Sequence, residues 1–316
     1  MENFLFSINA ILPLFMIMAI GFVLKRTKVA NDAFFYIANK ISFKLLLPVM
    51  LFLNIYDTRT REDIYDARYV LIAAGGIVIV TALLMIIIPK LVPDKRKIGV
   101  IIQGIVRSNF LLFAVPVVRN MFGEEELWTT SSLLPVIVPL FNILAVIVLS
   151  VYLNEGMHKG MLKKTILDII KNPLIIGSLV SYGIIFLKIE ISEVLYTCMK
   201  DIAGMATPLA LISLGGTLKF SSIRENMKYI VMTCFGKLVM MPALILPVAI
   251  ALGYRGSTIG ALLALLGSPI AVSSYVMSEQ SGNDGELAAQ LIAFSTAASV
   301  VTMFLWIFSL RSLGYL

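Results

Sequence analysis

The chain has 316 residues, of which 59% are hydrophobic and 14% charged, with a formal net charge of +7 and a mean hydropathy of +0.93. So much apolar surface cannot be hidden in a soluble core, because single cores stop growing near ~250–300 residues, and lipid must cover the remainder. The positive balance does not point to nucleic acid, since the basic residues fall in short loops between apolar runs rather than together on one face.

A membrane-spanning helix needs roughly 20 apolar residues. The apolar runs predict about ten such spans, at residues 4–24, 33–55, 69–89, 98–119, 127–153, 173–188, 193–218, 228–252, 257–278 and 286–310, the sixth being short. The opening Met-Glu-Asn lacks the positive region of a cleavable signal, so the first run is expected to be a retained helix. Cys198 and Cys234 lie inside apolar runs without metal-type spacing and are expected to be small buried hydrophobes.

Lys and Arg set the orientation. One alternating set of loops carries Lys25, Arg26, Lys28, Lys90, Lys95, Arg96, Lys97, Lys159, Lys163, Lys164, Lys171, Lys219, Arg224 and Lys228. The opposite set carries only Arg59, Arg61, Arg68, Arg119, Lys188, Arg255 and Arg311, offset by Glu62, Asp63, Asp66 and Glu124 to Glu126. The richer loops are expected in the cytoplasm and both termini outside it, in an inner or plasma membrane. The basic segment 154–172 then separates a first half, 1–153, from a second, 173–316.

The halves echo each other at an offset of 160: Pro13 falls on Pro173, Lys28 on Lys188, Pro48 on Pro208, Gly76 on Gly236, Ser108 on Ser268, Glu126 on Glu286 and Leu127 on Leu287. Five spans per half is an odd number, so the second copy enters from the opposite side. The predicted fold is therefore an all-α polytopic membrane protein of two inverted five-helix repeats, a plan that recurs in secondary transporters with the substrate near the midplane.

Freed backbone groups are tolerated at membrane depth only where they line a cavity. The fourth and ninth spans are the candidates for such breaks. Pro116 and Pro269 each remove a helical hydrogen bond, and Ser108, Asn109, Ser268, Ser273 and Ser274 can satisfy freed backbone or meet a polar ligand. An ordinary proline kink is the plainer reading of each helix alone, less so of two at matching places. Arg107, in the fourth span, and Lys237, in the eighth shortly before Pro242, are intramembrane cations and hence candidate functional residues. Beside broken-helix N-termini they suit a carboxylate; the bland alternative is snorkelling or a salt bridge. Lys40 and Lys44 read as snorkelling, and Asp201, beside Lys200, is a weak candidate for proton coupling. His158 is the one histidine, and no HExxH motif, cysteine cluster or phosphate-binding Gly-rich loop occurs, which disfavours a metal enzyme, a cofactor and ATP-driven transport. The fourth and ninth spans also lack Asp, which weighs against a cation/proton antiporter.

Several stretches carry a resemblance: Pro13 with Gly21, residues 39–48, Lys171-Asn-Pro-Leu-Ile-Ile-Gly177, residues 208–218, residues 237–242, Ser268-Pro-Ile-Ala-Val-Ser-Ser-Tyr275, Phe294-Ser-Thr-Ala-Ala-Ser299 and Thr302. In this order, over essentially the whole chain, they resemble the auxin efflux carrier family, in particular its prokaryotic members. The resemblance implies a scaffold of spans one, two, six and seven, a mobile transport unit of spans three to five and eight to ten, and spans four and nine crossing at their breaks. It implies elevator-type alternating access, a homodimer, and small carboxylates such as malate or malonate as substrates. It also implies site roles for Asn109, Pro116, Ser268, Pro269, Ser273 and Ser274, with Asn142 of the fifth span as a neighbour. Ser278-Glu-Gln-Ser-Gly282 departs from the family pattern and leaves the role of Glu279, a weak coupling candidate, open. The long cytoplasmic loop of plant members is absent, so auxin itself is not implied. Proton or sodium coupling is left open. The competing readings are a sodium-coupled carrier of the bile-acid-symporter kind, a non-transporting membrane receptor and, more remotely, an intramembrane enzyme.

Overall fold

In the computed structural model, which describes residues 13, 16–57, 66–110, 117–119, 121–153, 167, 170–217 and 223–316, the apolar runs are helices. Among these residues the extended pairing is a single bridge between Ser108 and Ile270. Lipid requires this economy, because a helix satisfies its backbone internally and an open strand edge does not. The longer helices are α1 (16–26), α2 (Asp32–Tyr56), α3 (Ala67–Leu91), α4 (Lys95–Val106), α5 (Leu134–Leu153), α6 (Pro173–Phe186), α7 (Glu193–Gly204), α8 (Ala206–Thr217), α9 (Ile223–Ala251), α10 (Ser257–Gly267), α11 (Ser273–Gln280) and α12 (Gly285–Ser312). Five of them, α2, α3, α5, α9 and α12, are long and apolar enough to cross a membrane, and α6 and α10 are shorter apolar helices. At 25 residues, α3 is about 37 Å long, more than a ~30 Å hydrocarbon core requires. The chain is a multi-pass membrane protein.

Polar caps mark the helix starts. Asn31, Asp66, Asp94, Asn172, Ser192 and Asp284 each accept a hydrogen bond from a backbone N–H in the first turn of α2, α3, α4, α6, α7 and α12. Such caps contribute about 1 kcal/mol each.

Prolines deform the helices one turn upstream, at the carbonyl their ring would strike. Pro48 clashes with position 44, and α2 widens to a π turn at Ser42–Leu46, centred there. Pro242 does the same to position 238, within the π turn Gly236–Met240 of α9. Pro208 acts on position 204, where α7 ends and α8 begins. The run at 193–218 is thus two helices, not one. The fourth run differs more: its helix α4 ends at Val106, Arg107 is extended (φ −82°, ψ 124°), and helix resumes at Phe110 and over 117–119 among the described residues. Its break falls at Arg107 to Asn109, well before Pro116, which lies outside the described residues.

Residues 160 apart occupy matching environments. Lys28 (φ 60°) and Lys188 (φ 52°) are the non-glycine residues with left-handed backbone among those described. Their amides close matching turns, on the carbonyls of Lys25 (3.1 Å) and Ile185 (3.0 Å). A Cβ at Gly21 would run into the Ile212 carbonyl oxygen, so α1 and α8 touch backbone to backbone. At the equivalent positions Ser181 donates to the Phe52 carbonyl at 2.8 Å, between α6 and α2.

The helices pack in two groups. α2 packs against α6, α7 and α8, while α3, α4, α5, α9, α10, α11 and α12 pack among themselves. α11 meets α2 and α8, α12 meets α8, and α5 meets α2 and α6, so these helices carry the contact between the groups. Phe52, Leu53 and Tyr56 form a small core of their own with residues of α6 and α7, separate from the main core. None of α7's residues is buried within the chain. Cys198 is consequently exposed and free, contrary to the expectation from its apolar run, whereas Cys234 is half-buried and free. Lys40 and Lys44 are exposed, as snorkelling requires.

Candidate functional site

Pro269 starts the chemistry of the site. Lacking an N–H, it leaves the Leu265 carbonyl of α10 without its helical donor. The hydroxyl of Ser108 takes that place, donating to Leu265 from the break after α4. The two unwound segments then run antiparallel: Ser108 pairs with Ile270, and the Asn109 amide donates to the Pro269 carbonyl at 2.8 Å. The Ser268 hydroxyl folds back on the Ala264 carbonyl. The Ile270 amide donates to Ser295 Oγ of α12 at 3.2 Å, and Ser295 in turn bonds the Ile292 carbonyl. Most freed backbone groups are thereby satisfied inside the protein, which is what allows a break at this depth.

Two cations meet at this crossing. The Arg107 guanidinium, 5% exposed, donates to Asn142 Oδ1 of α5 at 2.7 Å and also rests on the Met277 sulfur of α11. Lys237, 0% exposed, reaches the opposite side of the crossing from the π turn of α9. Its ammonium donates to Ser108 Oγ and, at 3.4 Å, to the Val106 carbonyl. Among the described residues no carboxylate lies within ion-pair distance of either cation. An unpaired buried charge costs several kcal/mol, so two cationic side chains without a carboxylate partner are held at this crossing only by the fold around them.

A cavity of ≈140 Å³ opens beside it. Arg107, Ser108, Asn109 and Phe110 line one side, with Ala271, Val272 and Ser273 at the start of α11. Val138 and Phe141 of α5 complete that wall, and the opposing wall is Leu47, Met50, Leu51 and Asn54 of α2 with Thr207 and Ala210 of α8. The cavity therefore lies between the two helix groups. Leu47 and Thr207, like Met50 and Ala210, are pairs 160 apart, so the opposing wall uses matching positions of both halves. The N-terminus of α11 faces the cavity, adding a partial positive charge.

The structure brings most sequence candidates together. Arg107, Ser108, Asn109 and Ser273 line the cavity; Ser268 and Pro269 build the crossing; Asn142 is fully buried behind Arg107, with one amide hydrogen-bonding group, Nδ2, unpartnered. Ser274 lies beneath, its carbonyl accepting from Gln103 Nε2 at 3.1 Å. Lys237 sits behind the crossing and does not line the cavity. Asp201, exposed on α7, and Glu279, exposed near the end of α11, are not brought to it. Residues the sequence reading passed over are Asn54 and Thr207, which line the cavity, and Gln103, which bonds Ser274 and Ser278 (2.7 Å); Ser295 lies within the 294–299 stretch of the resemblance, which implies no site role for it. A polar residue within an apolar run was the available signal for Asn54, and proximity to Pro208 for Thr207.

Comparison with known proteins agrees with this architecture. The profile of a family described as "Membrane transport protein" matches the chain twice, over residues 6–159 and 154–307. An uncharacterized transporter of Methanocaldococcus jannaschii is 20% identical over 303 residues, covering 94% of this chain and 97% of that protein. An uncharacterized transporter of Methanothermobacter thermautotrophicus is 23% identical over 318 residues, covering 96% and 98%. With a two-copy match over nearly its full length, the chain belongs to the membrane transport protein family that includes the auxin efflux carriers.

Proposed function

We propose that the protein is a secondary carrier of small organic anions, mono- or dicarboxylates of the malonate or malate kind, and has no enzymatic activity. The observation that carries this reading is the pair of buried cations, Arg107 and Lys237, at a crossing of two interrupted helices beside a cavity, with no carboxylate near either among the described residues. Such a place favours a negative charge over a cation or a neutral solute. Size narrows the class. A cavity of ≈140 Å³ is of the order that admits a molecule of about six heavy atoms, close to a three-carbon acid such as malonate, smaller than malate, and far from a steroid-sized one.

The same proposal includes ten spans in two inverted repeats, supported by the matching environments 160 apart and the doubled family match. A scaffold of spans one, two, six and seven and a transport unit of spans three to five and eight to ten belong to the same proposal, supported by the packing of α2 with α6, α7 and α8 apart from the other helices. A cavity between those groups suits elevator-type alternating access, in which the crossing travels with its anion. Basic loops in the cytoplasm, both termini outside, and a homodimer complete the reading. The test is flux into proteoliposomes with a panel of three- to five-carbon acids and a bile acid, under imposed pH and sodium gradients. Uptake of a small dicarboxylate, competed by its neighbours in size and not by the bile acid, is the expected result; binding without flux would make the protein a receptor instead.

A further inference from the structure

Lys237 is the one of the two buried cations that does not line the cavity. It is walled off from the cavity, yet its ammonium is aimed at the point where both interrupted helices end. There it meets the last carbonyl of α4, Val106, and the Ser108 hydroxyl, whose own hydrogen is committed to the Leu265 carbonyl orphaned by Pro269. The ammonium thus meets a carbonyl at the C-terminal end of α4, where the backbone dipole is negative, and a hydroxyl that is itself bound to the last turn of α10. Freed carbonyls and half-helix C-termini of this kind are what hold a coupling sodium ion in carriers with interrupted helices. The π turn is what delivers the side chain: it is the distortion set by Pro242, and Lys237 is its second residue.

We infer that Lys237 is a tethered cation that occupies the crossing in place of a metal ion, so that the crossing needs no sodium and becomes a small-cation site when the side chain is removed. Its structural half stands on the hydrogen bonds alone, whereas sodium-independent flux rests on the carrier reading above. A merely space-filling lysine makes a different prediction, since replacing a buried charge by an apolar group of similar volume is often neutral or stabilising. The tethered cation instead leaves the crossing oxygens without a donor when it is replaced by Met.

The experiment compares the parent protein with Lys237→Ala and Lys237→Met in detergent, with ethylammonium, sodium or N-methyl-D-glucamine chloride at equal ionic strength. Lys237→Ala is expected to melt below the parent and to regain about 2–4 °C in ethylammonium or sodium relative to N-methyl-D-glucamine, while the parent shows no such difference. Lys237→Met is expected to melt lower than the parent and to be indifferent to the salts, because its side chain fills the space. A Lys237→Met protein as stable as the parent, or a Lys237→Ala protein blind to the small cations, overturns the inference. If Lys237→Ala does not fold, Lys237→Met and the parent decide it: a parent whose melting point or flux depends on sodium also overturns it. Absence of flux of any acid by the parent would sink the carrier reading and leave the melting comparison to stand by itself.

Discussion

Replacing Arg107 by Gln separates binding from folding. Arg107 is the cation that lines the cavity, held by Asn142 at 2.7 Å and 5% exposed. A carboxylate about 4 Å from the guanidinium, at an effective dielectric near 20, gains about 4 kcal/mol. The Gln amide can recover one neutral hydrogen bond, about 1 kcal/mol. The net loss is about 3 kcal/mol, or roughly 100-fold in affinity for malonate. Stability is expected to go the other way. The substitution removes a buried charge that no carboxylate compensates among the described residues, and the desolvation penalty so relieved is several kcal/mol. The melting point of Arg107→Gln is therefore expected to equal or exceed that of the parent. Arg107→Lys keeps the charge without the planar fork that serves Asn142 and an anion together, and falls between the two. The assay is competition binding in detergent and initial flux in proteoliposomes, each paired with a melting curve. Binding and flux of Arg107→Gln within threefold of the parent would refute the assignment, and a collapse of its melting point would make Arg107 a structural residue.

Three further outcomes are expected. Ser108→Ala removes both the donor to the Leu265 carbonyl and the acceptor of Lys237; the protein should lose about 2–4 kcal/mol of stability, read as a lower melting point, with Ser108→Thr largely spared. Gly21→Ala drives a methyl into the Ile212 carbonyl at the contact of α1 with α8 and should cost about 1–3 kcal/mol, seen in folded yield and melting, whereas Gly75→Ala, which meets nothing, should be neutral. The Asp66 carboxyl, outside the spans, is raised by partial burial but more strongly lowered by the Tyr254 hydroxyl (2.9 Å), the amides of Tyr69 and Arg68, and the Arg68 charge, for a net fall below its usual value. Its contribution is present above the unfolded value and lost as pH falls through the lower folded one, so acid melting curves should steepen below pH ~4. In Asp66→Asn that part of the acid loss should vanish.

Much of the architecture was legible because lipid leaves a chain few options. An apolar run of sufficient length becomes a helix there whatever its partners, so α2, α3, α5, α9 and α12 follow from hydropathy, and their starts from Asn31, Asp66 and Asp284. The 160-residue offset was legible through residues whose backbone roles are local, such as Pro48 with Pro208 and Lys28 with Lys188, the latter pair sharing left-handed backbone. Arg107, Ser108, Asn109, Ser268 and Pro269 were recognisable as polar or helix-breaking groups in apolar surroundings. Their arrangement was not. That Pro269 orphans a carbonyl is written in the sequence; that Ser108, 157 residues earlier, answers it is a fact of tertiary contact. The same holds for the break after Val106, which no proline marks among the described residues and which the pairing with Pro269 and Ile270 stabilises. It holds also for Lys237: composition made it an intramembrane cation, and only packing decided that it faces the crossing and not the cavity. Residue types and local geometry thus settle where a membrane chain is helical and where it cannot be, because those are properties of one segment in lipid. Which broken ends meet, and which charge is left unpaired beside them, depends on contacts between segments far apart in the chain, and these exist only in the folded protein.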